Sequence, residues 1–91
     1  MQSLSVWAFH GQGGRFSSGI FMDKREAISW IAQHKLTGVL TQYPLNQGVY
    51  DWAIENTLFE VTKAHESRAE FIQQFTCAGQ QHYHFENGVL D

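Results

Sequence analysis

Between Ser18 and Leu45 the spacing of apolar residues changes twice, and that double change limits the folds open to this chain. Ile20-Phe21-Met22 reads as extended chain. Asp23 then stands three residues ahead of Glu26, and Ala27, Ile28, Trp30 and Ile31 recur at helical spacing. From Gly38 the pattern Val39-Leu40-Thr41-Gln42-Tyr43 is strand-like again and meets Pro44. A strand–helix–strand succession with a capping signal at its first junction predicts an α+β domain. The Asp23/Glu26 spacing is a capping-box variant, in which Asp23 takes an orphan helix N–H and Glu26 reaches back. The helix should run to about His34, with Leu36-Thr37-Gly38 ending it. Pro44 cannot donate to a ladder, so it marks the end or edge of its strand.

The flanking segments extend the scheme. Leu4 to His10 alternates, with Trp7 and Phe9 on one face and Val6, Ala8 and His10 on the other. Gly11-Gln12-Gly13-Gly14 follows as a hairpin tip, and Phe16 to Met22 returns as the second strand. Its glycines resemble a phosphate loop, but a strand follows instead of a helix and no Lys-Ser/Thr pair appears, so the hairpin reading stands. Asn46 is placed to cap a short helix over residues 48–56. Residues 57–66 read as loop. Ser67 and Glu70 form a second capping box, opening a helix that buries Phe71, Ile72 and Phe75 and stops at Gly79. Gln81 to Glu86 alternates strictly as a fourth strand, and Asn87-Gly88 is a strong turn signal. The expected order is ββαβααβ: one domain over 1–91, with an antiparallel sheet of about four strands and helices packed on one face. The last strand is expected beside the first, since both carry aromatics on one side and histidine on the other.

Composition narrows the function classes. At 91 residues the core is thin, and thirteen aromatic side chains supply much of what it can bury. A net charge of −3 with six Lys and Arg provides no basic stripe for nucleic acid. A single cysteine, Cys77, cannot close an internal disulfide, which fits a reducing, cytoplasmic setting. Cys77 sits near a predicted helix C-terminus, where thiolates are not stabilised, so it reads as a small buried hydrophobe. No apolar stretch reaches the length of a membrane span, and no signal peptide is recognisable.

The spaced pattern Val6-Trp7-x-Phe9-His10-Gly11, Leu36-Thr37-Gly38-x-Leu40-Thr41-x-Tyr43-Pro44-Leu45, Gly48-Val49-Tyr50-Asp51-Trp52-Ala53-Ile54 and His82-Tyr83-His84 resembles a family of small uncharacterised bacterial single-domain proteins. The resemblance covers nearly the whole chain. It implies a stand-alone cytoplasmic domain and brings no assigned activity.

Two constellations remain as candidate sites. His82 and His84 share one strand face, and His10 would join them if its strand were the neighbour, giving three imidazoles on one surface. Three histidines with an open position would suit zinc, but the H-x-H spacing falls short of established zinc motifs, and the expectation is no metal and no cofactor. Tyr50, Asp51 and Trp52 form the second. Tyr50 and Asp51 are expected as polar anchors over an apolar floor of Trp52 and Trp30, against the plainer alternative that Asp51 complements the helix dipole and the rings are core. The favoured function is an interaction or regulatory module that binds a protein partner or small ligand and self-associates, as a dimer. The alternatives are a small enzyme pairing a histidine with Asp51 or Glu86 as general acid and base, and a histidine-based metal protein.

Overall fold

The computed structural model describes residues 4–91. Its element order is β1 (Ser5–Gly11), β2 (Gly19–Phe21), α1 (Lys24–His34), β3 (Gly38–Pro44), α2 (Val49–Glu55), a 3₁₀ turn (Ala64–Ser67), α3 (Ala69–Gln73), β4 (His82–Glu86) and β5 (Val89–Leu90). These elements form two compact units: the chain through Leu45 together with Gln80–Asp91, and Asn46–Gly79.

The first unit is α+β, with an antiparallel open sheet in the order β2-β1-β3-β4-β5. Sheet and helix meet where their apolar faces coincide. Trp7 and Phe9 of β1, Leu40 of β3 and Phe85 of β4 point to one side and enclose Ala27 and Ile31 of α1. Phe9, Ile31 and Leu40 are the largest fully buried side chains. Trp30 rests on this cluster, edge-on to Phe9 at 5.9 Å and tilted on Phe21 at 5.5 Å between ring centres. Lys24, at the start of α1, lays its ammonium over Tyr83 at 4.8 Å and Trp7 at 5.6 Å. A cation over paired rings closes the margin of a core too small to bury them.

Several local signals act as expected. The Asp23 carboxylate accepts the Arg25 N–H at 2.9 Å, which starts α1. Asn87 and Gly88 both adopt positive φ, 51° and 85°, and turn β4 into β5. Other expectations are corrected. The sheet has five strands instead of four, because the Asn87-Gly88 turn carries the last residues back as β5. The last long strand lies beside β3, not β1: Val39 pairs with His84 and Leu40 with Tyr83. β1 already spends its two edges on β2 and β3, so no ladder position is left for β4. The second strand is shorter than expected, covering Gly19–Phe21. Helix α1 ends on Lys35, in a left-handed conformation (φ 54°), with Leu36 N–H donating to the Ile31 carbonyl. Gly38 opens β3, where the strand-like pattern was expected to begin, opposite Gly11. Ile28, expected inside, is exposed, since the stripe facing the sheet is centred on Ala27 and Ile31.

The second unit holds α2, the 3₁₀ turn and α3. Here Gly48, not Asn46, precedes the first turn of α2, and Asn46 takes a positive φ of 62° in the preceding turn. Arg68 precedes α3 without a side-chain cap, and α3 stops at Gln73, well before Gly79, leaving Ile72 exposed. Ser67 turns back to the Ala64 carbonyl and does not pair with Glu70. The reciprocal cap lies one turn earlier, where the Glu66 carboxylate accepts the N–H groups of Thr62 and Lys63 at 2.9 and 3.0 Å. Tyr50 is the aromatic centre of this unit, ring to ring with Phe59, Phe71 and Phe75 at 5.9, 6.3 and 5.5 Å.

Candidate binding surfaces

The side of the sheet opposite α1 is built from the other half of each alternation. β1 places Val6, Ala8 and His10 there, β3 contributes Val39, Thr41 and Tyr43, and β4 contributes His82, His84 and Glu86. The register arranges them in rows: Ile20, Ala8, Thr41 and His82 in one, His10, Val39 and His84 in the next, and Val6 with Tyr43 in a third. In an antiparallel sheet with one solvated face, that face is ordinarily polar. Here it is not. Ile20 is 60 % exposed and Val89 67 %, and Met22, next along from β2, is 73 % exposed. Among the described strand positions on this side, Glu86 is the one that carries charge at neutral pH.

The histidines line this surface without converging on one point. His10 and His84 stand in one row with Val39 between them. His82 and His84 are edge-to-face at 5.6 Å. The His10 Nε2 is 2.6 Å from the Gly14 carbonyl and the His82 Nδ1 is 2.8 Å from the Gln80 carbonyl. A carbonyl only accepts, so each of these nitrogens carries the proton. Among the described residues, no group of three His, Cys, Asp or Glu is arranged to hold a metal ion. His10 and His84 do share a groove of about 520 Å³ with Glu86, Asp91 and the Gly11–Gly14 backbone.

Tyr50, Asp51 and Trp52 take three different settings within the second unit. Tyr50 is buried, and its hydroxyl donates to the Glu66 carbonyl at 2.8 Å, so it offers no free polar group. Asp51 is exposed in the first turn of α2, where a carboxylate suits the positive helix end. Trp52 is half-buried in the second unit; Trp30 belongs to the first and packs there edge-on or tilted against the Phe9, Phe21 and His34 rings.

A different concavity occupies the second unit. Phe59, Phe71 and Phe75 floor a groove of about 770 Å³, with His65, Arg68 and Glu70 at its rim. Cys77, half-buried, lines the same groove beyond the end of α3. Phe59 lies in the segment 57–66 that reads as loop, where no local pattern marks it. The one-turn spacing of Phe71 and Phe75 was its visible signal, and Phe59 joins them through tertiary contact at 5.7 and 5.0 Å.

The class defined by these features is a small α+β protein whose five-stranded sheet is covered by a helix on one side. No helix among the described residues is long and apolar enough to cross a membrane. A family model described as "Domain of unknown function (DUF7710)" matches residues 6–91, and the chain belongs to that family. Comparison with curated proteins and with solved structures finds no match to either.

Proposed function

We propose that the protein is a self-associating interaction module, in which the outer face of the sheet packs against the same face of a second copy. The carrying observation is the near absence of charge on that face in a chain whose net charge is −3. Two copies of an acidic protein repel each other, and the repulsion is least where neither presents ionised groups. The exposed Ile20, Met22 and Val89 supply the apolar area, and Tyr43 adds an aromatic of the kind interfaces favour. The five strands hold 24 residues, which at ~3.3 Å along and ~4.8 Å between strands give a face of roughly 400 Å² in projection. A standard interface buries ~800 Å² per partner, so the expected dimer is a reversible one of modest affinity.

Sedimentation velocity across micromolar to millimolar concentrations tests this. The weight-average sedimentation coefficient should rise with concentration in the native chain. It should stay at the monomer value in Val39→Lys, which puts a charge at the centre of the face. A native chain that remains monomeric throughout the range would falsify the reading.

The same reading treats residues 1–91 as one domain, supported by the single family match that runs across both units. A cytoplasmic setting is supported by the lone cysteine, and bacterial origin by the resemblance drawn from the sequence motifs. The aromatic groove of the second unit supports a second reading, small-ligand binding, because its volume and apolar floor fall within the range of ligand pockets.

A further inference from the structure

We infer that the aromatic groove of the second unit takes a free aromatic α-amino acid, with Arg68 receiving its carboxylate and Glu70 its ammonium; this rests on the small-ligand reading above and is independent of self-association. The floor favours a flat ring. Phe59 meets Phe71 stacked at 5.7 Å and Phe75 edge-on at 5.0 Å, and Phe71 meets Phe75 tilted at 5.9 Å. Rings set at these different angles present both faces and edges, and a further ring gains from offset or edge-to-face contact beyond the area it covers. His65 extends the wall, edge-on to Phe71 at 5.7 Å. At about 770 Å³ the groove has room for a bicyclic indole as well as a phenyl group.

The rim selects the polar end of the ligand. Arg68 and Glu70 both line the groove, and both side chains are exposed. Neither is spent on local structure: Arg68 gives α3 no side-chain cap, and the Ser67 hydroxyl goes to the Ala64 carbonyl and not to Glu70. One cation and one anion on the same rim match a ligand that carries one of each. A carboxylate alone gains from Arg68 and loses to Glu70, an amine alone does the reverse, and a zwitterion gains from both. The guanidinium fork suits a carboxylate in particular, since it can donate two parallel hydrogen bonds. An aromatic residue inside a peptide chain brings neither charge, so the rim favours the free amino acid over it.

The test is a chemical-shift titration of the full chain with L-tryptophan at about pH 7 and low ionic strength, following the α3 amides and the Phe59, Phe71 and Phe75 rings. The expected result is saturable shifts at these positions, with a dissociation constant on the order of millimolar, as exposed charges and a small ligand give. Tryptamine, indole-3-propionate, N-acetyl-L-tryptophan amide and L-leucine should each bind at least about threefold more weakly. Arg68→Gln should weaken tryptophan by about two- to fivefold and leave tryptamine no weaker, and Glu70→Gln should weaken tryptophan similarly and leave indole-3-propionate no weaker. The blocked amide or either singly charged analogue binding as tightly as tryptophan overturns the zwitterion assignment and leaves the small-ligand reading standing. Leucine binding as tightly overturns the aromatic preference. A tryptophan affinity unchanged in both variants overturns the roles of Arg68 and Glu70. Groove signals that stay fixed with every one of these compounds overturn the small-ligand reading and this inference together.

Discussion

Glu66 ties the second unit together through two different oxygens. Its backbone carbonyl accepts the Tyr50 hydroxyl, and its carboxylate accepts the Thr62 and Lys63 N–H groups. The Thr62 N–H is the largest influence on the carboxyl and the Lys63 N–H the next, and both hold it below the usual carboxylate range. The neighbouring His65 charge and the Thr62 hydroxyl act in the same direction. Each of these partners favours the ionised form. The sign of the pH dependence follows. Because the folded value lies below the unfolded one, this contribution to stability is complete above the ordinary carboxylate range and is lost as pH falls through the lowered value. A carbon-detected NMR titration should place the Glu66 carboxyl midpoint below that of a glutamate in an unstructured peptide, with the Thr62 and Lys63 amide shifts moving at the same midpoint. A Glu66 midpoint level with the peptide's, or amide shifts that ignore it, would remove the cap from the account.

At the scale of elements, the pairing of β1 with β3 depends on how closely two backbones approach. Gly11 faces Gly38, and a side-chain carbon added to Gly38 would collide with the His10 carbonyl and lie 2.9 Å from the Gly11 Cα. It would also meet the Phe9 ring at 2.8 Å, so the glycine gives a core ring its resting place. Gly38→Ala should therefore destabilise the fold by about 1–3 kcal/mol, the usual cost of overpacking. Urea denaturation should show a lower midpoint at constant slope; an unchanged midpoint would contradict the close approach. Gly38 starts β3 as the strand-like pattern predicts, while the helix stop expected over Leu36-Thr37-Gly38 falls earlier. Lys35 ends α1 by taking a left-handed conformation that local sequence does not advertise, whereas Asp23, Ala27 and Ile31 act through contacts within one or two turns and were readable. The same division explains the sheet. Alternation in β1, β3 and β4 identified which residues face inward, but the neighbour of β4 is set by which ladder edges remain free. The candidate surfaces divide similarly: the face bearing His10, His82 and His84 was legible from period-two spacing, while the Phe59–Phe71–Phe75 groove needed contacts that no local pattern encodes.

For the molecule as a whole, apolar burial is distributed unevenly between the two units. The first encloses Trp7, Phe9, Ala27, Ile31, Leu40 and Phe85 between sheet and helix. The second, Asn46–Gly79, buries Tyr50 and Ala53 and leaves Phe59, Phe71 and Phe75 half-exposed around an open groove. Its helices are seven and five residues long, too short to be stable without tertiary support. Regions with few buried apolar contacts open at lower free energy than the core they accompany. Native-state hydrogen exchange should accordingly show the amides of Leu40 and Gln42 in β3 exchanging slowest, because β3 is flanked on both sides and Leu40 is fully buried. Amides of α3, such as Ile72 and Gln73, should exchange by local opening, with a lower opening free energy and a weaker dependence on urea than those of β3. If α3 and β3 share one opening free energy and one urea slope, the two units unfold as a single cooperative body, and burial in the second unit has been undervalued. If α3 alone is labile, the aromatic groove becomes the part of the molecule that a bound ligand would protect most, and added ligand should slow α3 exchange while leaving β3 unaffected.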